Sequence, residues 1–329
     1  MRKLLTDPYG RTLSYLRISV TDRCSLRCLY CQPQGMRVSK APMEEILTFA
    51  EIREAAEAGA ELGIRDIRVT GGEPLARKGC PDLVRLLADI PGIRSVSMTT
   101  NGLALKEALP ALLEAGLTGV NVSLDTLDRK TYERITGKDA LKDVLAGIGE
   151  ALRLGLPVKI NAVLLKDLSL ENAFALIDLA RTQPLCVRFI EMMPIGAGRN
   201  LAGLSCRALT KELMTHYPGM VPCREKLGAG PASYYEIPGF AGKIGMIPAA
   251  CGSFCSCCTR LRLTSMGALR PCLSSEKEVD VKEILRSGKD RETRMRLLQA
   301  AYKRAAEEKP QQSTFGSMPQ PECMAEIGG

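Results

Sequence analysis

The chain has 329 residues, is 45% hydrophobic, carries a formal net charge of +8, and holds 13 cysteines, a single histidine (His216) and no tryptophan. One histidine excludes His-rich metal centres and the usual Ser-His-Asp hydrolase. An aromatic content of 4% with no dense Lys/Arg block leaves little for stacking nucleic acid bases. No apolar run approaches the roughly 18 residues of a membrane span, and residues 1–8 lack an apolar signal core, so the expected location is cytoplasmic. There thiols stay reduced, and this many cysteines read as metal ligands rather than disulfides. The positive charge then points to an anionic small molecule, with no nucleic acid or membrane partner.

The length suits one large domain and a smaller one. In chain order, strand-like runs are expected at residues 15–20, 67–70, 95–100, 119–124, 158–164 and 187–191. Helical patterns lie between them at 43–62, 80–89, 104–114, 141–154 and 171–181, with another at 207–215. Strands alternating with helices of this length imply a parallel sheet. Period-2 parity then separates a barrel from a doubly wound sheet. One face carries Arg17, Ser19, Arg68, Thr70, Thr99, Asn121, Ser123, Lys159, Asn161 and Arg188. The other carries Ile18, Ile67, Val69, Val120, Val122, Val158 and Ile160. A sheet polar on one face of every strand fits a curved wall around a polar cavity. The expected fold is therefore an α/β, incomplete (β/α)6 TIM-like barrel over residues 1–217, with its site at the C-terminal rim of the strands. After Pro218 the composition shifts to Gly- and Pro-punctuated runs, then to helical patterns at 279–286 and 291–307. Residues 218–329 are read as a smaller α+β region that closes the cavity.

Cys24, Cys28 and Cys31 follow the first strand at the spacing Cys-x3-Cys-x2-Cys. Three thiolates can hold three irons of a four-iron cluster and leave the fourth iron open, whereas clusters that only carry electrons usually take four. A structural zinc ion would need a fourth ligand, and none lies close in sequence. Cys255, Cys258 and Cys272 form a second set of three, spaced Cys-x2-Cys-x13-Cys. It reads as a second open four-iron cluster, with zinc as the rival and with Cys251 and Cys257 near enough for a four-thiolate site. Cys80, Cys186, Cys206, Cys223 and Cys323 read as packing or surface residues, and His216 as the end of a helix. In Gly71-Gly72-Glu73-Pro74 the glycines let backbone approach a ligand, and Glu73 could accept from an ammonium group. Arg260 and Arg262 share a face of a short strand. With Arg17, Arg68 and Lys159 they make five cations directed at the cavity. Buried cations need partners, so either internal salt bridges or a polyanionic substrate is implied, guanidinium being suited to phosphate. Neither a Walker loop nor Gly-x-Gly-x-x-Gly occurs, so side chains would hold such a substrate.

The Cys24–Cys31 spacing resembles that of the radical S-adenosylmethionine (SAM) enzymes. Nearly the whole chain is similar to the family of GTP 3′,8-cyclases, the molybdenum cofactor biosynthesis A proteins. The resemblance runs through Leu16-Arg17-Ile18-Ser19-Val20-Thr21-Asp22-Arg23-Cys24, Thr70-Gly71-Gly72-Glu73-Pro74-Leu75, Thr99-Thr100-Asn101-Gly102, Ser123-Leu124-Asp125, Val158-Lys159-Ile160-Asn161, Arg188-Phe189-Ile190-Glu191, Phe254-Cys255 and the terminal Gly328-Gly329. It implies a radical SAM lyase that cyclises GTP to 3′,8-cyclo-7,8-dihydro-GTP, the first step of molybdopterin biosynthesis. Two [4Fe-4S] clusters are implied, on Cys24, Cys28 and Cys31 and on Cys255, Cys258 and Cys272. SAM would lie against Tyr30, Gly72, Ser123 and Met193. GTP would meet Arg17, Arg68, Thr99, Lys159, Arg260, Leu261 and Arg262, with Arg17, Arg260 and Arg262 as the catalytic set. The Gly-Gly end would reach back into the cavity. An external electron donor and a downstream cyclic pyranopterin monophosphate synthase are implied as partners, and there is room for a homodimer. The chain departs from the family at Ser25, Gln32, Thr259 and around Lys309-Pro310 and Glu322-Cys323-Met324. A peptide-modifying radical SAM enzyme with an auxiliary cluster and a non-catalytic metal or redox module are the alternatives.

Overall fold

A computed structural model describes residues 4–36, 40–225, 227, 228, 230–248, 252–313 and 315. Cys251, Cys323 and the Gly328-Gly329 end lie outside the described residues.

The alternation in the sequence builds a parallel sheet. Strands β1 (Tyr15–Ser19), β2 (Asp66–Thr70), β3 (Ser95–Thr100), β4 (Gly119–Ser123), β5 (Val158–Leu164) and β6 (Cys186–Glu191) pair in chain order, each parallel to the next. Their apolar face is buried, with Ile18, Ile67, Val69, Val122 and Ile160 each at 0% exposure. Helices α1 (Phe49–Glu61), α2 (Cys80–Ala88), α3 (Leu105–Glu114), α4 (Arg129–Thr136), α5 (Leu141–Arg153), α6 (Leu170–Thr182) and α7 (Cys206–His216) connect the strands and follow β6. Burial of each such Val or Ile contributes about 1.5–3 kcal/mol, which fixes the register of every strand.

Among these helices, one boundary differs from the sequence reading and one helix was not expected. α1 starts at Phe49 rather than near residue 43, because Thr48 caps it. The Thr48 hydroxyl accepts from Glu51 N at 3.2 Å, and the Glu51 carboxylate accepts from Thr48 N at 2.7 Å. Such a capping box stabilises a helix start by about 1 kcal/mol. α4 is absent from the sequence reading. Asp128 caps it by accepting from Thr131 N at 2.8 Å, and its buried residues are only Tyr132, Ile135 and Thr136. That stripe is too thin to stand out as a periodic pattern.

The region after residue 218 joins the same sheet. β7 (Val221–Pro222), β8 (Ser233–Glu236) and β9 (Lys243–Ile247) extend one edge, with β9 parallel to β6. β10 (Arg260–Leu263), β11 (Ala268–Arg270) and β12 (Val279–Asp280) extend the other, with β10 parallel to β1. The resulting twelve-stranded sheet has the order β12-β11-β10-β1-β2-β3-β4-β5-β6-β9-β8-β7. It is an incomplete (β/α)6 TIM-like barrel whose two open edges are lengthened by the C-terminal strands. The helix expected at 279–286 is instead β12 followed by the one-turn α8 (Lys282–Leu285). The long α9 (Arg291–Glu307) lies on α1: Tyr302 donates to the Ala55 carbonyl at 3.0 Å, and Arg294 and Arg291 pair with Glu54 and Glu57. Among the described residues no helix is long and apolar enough to cross a membrane.

Candidate active site

Register separates the two cysteine sets. Cys24, Cys28 and Cys31 follow the C-terminal end of β1. β10 runs parallel to β1 and pairs Arg260 with Tyr15, so Cys255 and Cys258 precede the opposite end of the same strand pair. β11 runs back antiparallel and delivers Cys272 to that opposite end. One set forms a rim and the other a floor. Between them lies a cavity of about 350 Å3 lined by all six of these cysteines, a size within the usual range for small-molecule sites.

At the rim, the loop after β1 is laid on the loop after β2. Gly72 N donates to the Thr21 carbonyl at 2.7 Å and Glu73 N to the Arg23 carbonyl at 2.8 Å. A Cβ at Gly72 would collide with the Arg23 carbonyl, so glycine here lets the cysteine loop approach. Glu73 does not face the cavity. It is buried, and its carboxylate accepts from the Thr100 hydroxyl at 2.8 Å, Leu75 N at 3.0 Å and Asn101 N at 2.6 Å. The expected ammonium acceptor is thus a brace between β2 and β3. Tyr30 donates to Asp125 at 2.7 Å, and Val163 N donates to the other Asp125 oxygen at 2.8 Å. Burial pushes the Asp125 carboxyl up to about 6, against these two bonds. Tyr30, Gly72, Ser123 and Met193 all line this part of the cavity.

The wall holds a row of guanidinium groups. The register sets Arg262, Arg17 and Arg68 side by side across β10, β1 and β2. Burial, and next the Arg262 charge, hold Arg17 well below the ordinary arginine range. Arg188 from β6 completes the set; it is 3% exposed and donates to Asn161 Oδ1 at 2.6 Å. Gly245 opposite it has no Cβ because one would meet Arg188 Cγ at 2.8 Å. Among the described residues the buried Nε atoms of Arg68 and Arg188 have no hydrogen-bond partner. Among the described residues no salt bridge involves these two cations; Arg188 meets Asn161 and Tyr234, and Arg68 lies over the Tyr15 ring. Thr99, Arg260 and Arg262 also line the cavity. Lys159 stands apart from the wall: its ammonium donates to the Leu227 carbonyl at 2.6 Å, and burial, then Arg188, lowers it to about 8. Leu261 points into the core at 0% exposure, so only its backbone is available to a ligand.

At the floor, Lys309 and Arg11 emerge as residues the sequence reading passed over. Lys309 donates to the Arg260 and Pro271 carbonyls, both at 2.7 Å. Arg11, paired with Asp7, donates to the Cys255 carbonyl at 2.6 Å and the Pro310 carbonyl at 2.8 Å. The only advance sign of Lys309 was the unusual Lys309-Pro310 segment. Thr259 serves through its backbone, its carbonyl accepting from Ser14 N and Tyr15 N. Cys257 is exposed.

Both ends suit thiolate ligation. None of these six cysteines is in a disulfide, and Leu26 N and Asn101 Nδ2 donate to Cys24 Sγ at 3.4 and 3.8 Å, the kind of bond a metal-bound thiolate accepts. Burial alone would raise Cys258, but Arg260 and Lys309 bring it down to about 7. Among the described residues no three His, Cys, Asp or Glu side chains are gathered around a single ion; a four-iron cube puts each thiolate on a different iron and spreads them wider.

Residues 18–180 match the Radical SAM superfamily and residues 185–315 match Molybdenum Cofactor Synthesis C. The chain is 45% identical to a GTP 3′,8-cyclase of Pelotomaculum thermopropionicum over 86% of its length and 88% of the relative's. It is 44% identical to one of Peptoclostridium acidaminophilum (88% and 89%) and 42% identical to one of Moorella thermoacetica (99% and 100%). Among solved structures, Streptococcus suis SuiB bound to S-adenosylmethionine superposes with a TM-score of 0.61 at 16% identity, over 86% of this chain and 64% of SuiB. anSMEcpe with bound AdoMet gives 0.57 at 14% identity, over 92% and 93%. These two share the fold; the cyclases share the sequence as well, over most of the chain. The chain belongs to the GTP 3′,8-cyclase family.

Proposed function

We propose that this chain is a radical SAM lyase that closes GTP to 3′,8-cyclo-7,8-dihydro-GTP, the first step of molybdenum cofactor biosynthesis. The observation that carries the reading is a single cavity with three cysteines at each end and a row of buried arginines between them. Membership of the radical SAM superfamily brings one four-iron cluster and SAM. Bound together, these supply abstraction of a hydrogen atom from the substrate.

The chain's own residues divide the remaining work. Cys24, Cys28 and Cys31 hold the SAM cluster, and Tyr30, Gly72, Ser123 and Met193 line the SAM site. Cys255, Cys258 and Cys272 hold a second four-iron cluster at the floor, within reach of the guanine end of GTP. Arg17, Arg68, Arg260, Arg262 and Thr99 bind GTP, joined by Arg188. Lys159 takes part if GTP draws its ammonium away from the Leu227 carbonyl, and Leu261 through its backbone. Multiple guanidinium groups suit a triphosphate through paired, charge-assisted bonds. Held at both ends, ribose C3′ and guanine C8 are kept in one orientation and out of bulk water. Residues 1–217 then act as the barrel and residues 218–329 as the part carrying the second cluster. The enzyme works in the cytoplasm with an external electron donor, feeds a cyclic pyranopterin monophosphate synthase, and is compatible with a homodimer.

Anaerobic turnover of the reconstituted protein with SAM, GTP and a strong reductant tests the assignment. It should form 5′-deoxyadenosine and the cyclised nucleotide together. SAM cleavage with no cyclised product from GTP would overturn it.

A further inference from the structure

Lys309 lies just beyond α9, yet its side chain is buried at 3% exposure beneath the floor of the cavity. Burying an ammonium group is costly unless it is bonded. Its Nζ donates to the Arg260 carbonyl, two residues after Cys258, and to the Pro271 carbonyl, one residue before Cys272. One cation therefore ties the start of β10 to the segment just after β11, beside two of the three floor cysteines. The third is tied to the Lys309 segment by a second cation: Arg11 donates to the Cys255 carbonyl and to the carbonyls of Pro310 and Gln311. Ser313 and Phe315, further along that segment, line the cavity. The Lys309 ammonium also interacts electrostatically with the Cys258 and Cys272 sulfurs. At the rim the hydrogen-bond donors to Cys24 Sγ are the neutral Leu26 N–H and Asn101 amide, and the nearby charges are mixed, Glu73 against Arg27.

We infer that Lys309 is a positioning residue for the second cluster: it bridges the segments bearing Cys258 and Cys272 and places a fixed positive charge beside the floor cluster. The inference rests on the proposed ligation of that cluster by Cys255, Cys258 and Cys272. Reduction potentials of iron–sulfur clusters respond to local charge and to hydrogen bonding around the sulfurs. A cation at this place favours the reduced cluster and raises its potential.

The test uses the full chain carrying Cys24→Ala, Cys28→Ala and Cys31→Ala, so that only the floor can hold iron. With Lys309 intact, this chain should retain about four irons; retention of none would defeat the ligation reading itself, whatever Lys309 does. Into that background go Lys309→Met, similar in length but neutral, and Lys309→Arg, which keeps the charge. The readouts are iron and sulfide content, thermal unfolding, and the cluster's reduction potential followed by electron paramagnetic resonance. The inference expects Lys309→Met to shift the potential to more negative values or to lose the floor iron while unfolding as the parent does, and Lys309→Arg to recover part of either loss. Iron content and potential both unchanged in Lys309→Met would overturn it. So would a general loss of folding in both variants, which would make Lys309 a structural residue with no particular tie to the cluster.

Discussion

The rim and the floor each carry three cysteines, in different electrostatic settings. At the rim, burial together with the carboxylates of Glu73 and Asp125 pushes the Cys24 and Cys28 thiols up. At the floor, Arg260 and Lys309 pull the Cys258 thiol down to about 7 despite burial. The difference follows from what each end faces. The rim is packed from backbone turns braced by buried acids. The floor opens on the arginine row, where an anionic substrate would neutralise charges that now repel one another. SuiB and anSMEcpe share the fold of the barrel. In the proposed function the choice of substrate falls to the wall and the floor.

The largest expected effect breaks this comparison by removing one thiolate from each end. Cys28→Ala and Cys258→Ala should each bind about four irons fewer than the parent chain. Their turnover should differ in kind. Cys28→Ala should form no 5′-deoxyadenosine at all. Cys258→Ala should still cleave SAM while making no cyclised nucleotide. Cyclisation persisting in Cys258→Ala would show that the floor is not a second ligand site.

Next in size is the wall. Arg17 sits in register between Arg262 and Arg68. Loss of one buried cation from an anion site typically costs 2–5 kcal/mol of binding. Arg17→Met should therefore weaken GTP binding on the order of 100-fold, measured by calorimetry on the anaerobic enzyme, and leave SAM affinity near its parent value. Equal losses for both ligands would mean that Arg17 supports the barrel as a whole and has no special tie to the substrate.

The rim acid gives a pH-dependent prediction. Asp125 has a folded pKa raised from 3.8 to about 6. Between those values the folded chain binds more protons than the unfolded chain, so this residue costs stability as pH rises through the window. Above pH 6 the cost is complete, on the order of 3 kcal/mol. Asp125→Asn removes the charge and leaves an amide that still meets Tyr30 and Val163. In urea unfolding of the metal-free chain, the variant should gain on the parent as pH is raised from 4 to 7. A difference that stays flat over that range would remove Asp125 as the source.

How much of this was legible in the sequence depends on the range of the interaction involved. Strand parity has period 2 and survives into the structure, so Arg17, Arg68, Thr99 and Ser123 on the wall could be read directly. The Cys24–Cys31 spacing could be read as well, being set within one loop, whereas Cys272 is brought beside Cys258 only by the turn from β10 into β11. Glu73 could not: an exposed acceptor and a buried brace look alike until Thr100 and Asn101 are seen to close on it. Lys159 follows its strand's parity, yet its flexible stem turns toward Leu227 in a loop that sequence alone does not position. The roles of Lys309 and Arg11 could not be read because their partners lie far away along the chain, joined only when β10 pairs with β1 and α9 docks on α1. Polarity hid α4, whose caps are clear but whose buried stripe is narrow.

The smallest expected effect sharpens the contrast between the two ends. Asn101 donates to Cys24 Sγ at 3.8 Å and to Ser25 Oγ at 3.2 Å, while its own side-chain oxygen accepts from Leu103 N at 3.0 Å. Asn101→Ser keeps a hydroxyl able to accept from Leu103 N, as serine commonly does in such turns, but is too short to reach the sulfur. It removes a neutral donor from the rim without changing any charge. The first cluster's reduction potential should therefore fall slightly, because hydrogen bonds to the sulfurs stabilise the reduced state. The fall should be smaller than that caused by Lys309→Met at the floor, where a full charge is lost. Potentiometric titration in a chain lacking the floor cysteines isolates the rim. A shift there equal to the Lys309→Met shift would mean that hydrogen bonding alone sets both potentials, and that the cationic floor owes its charge to substrate binding only.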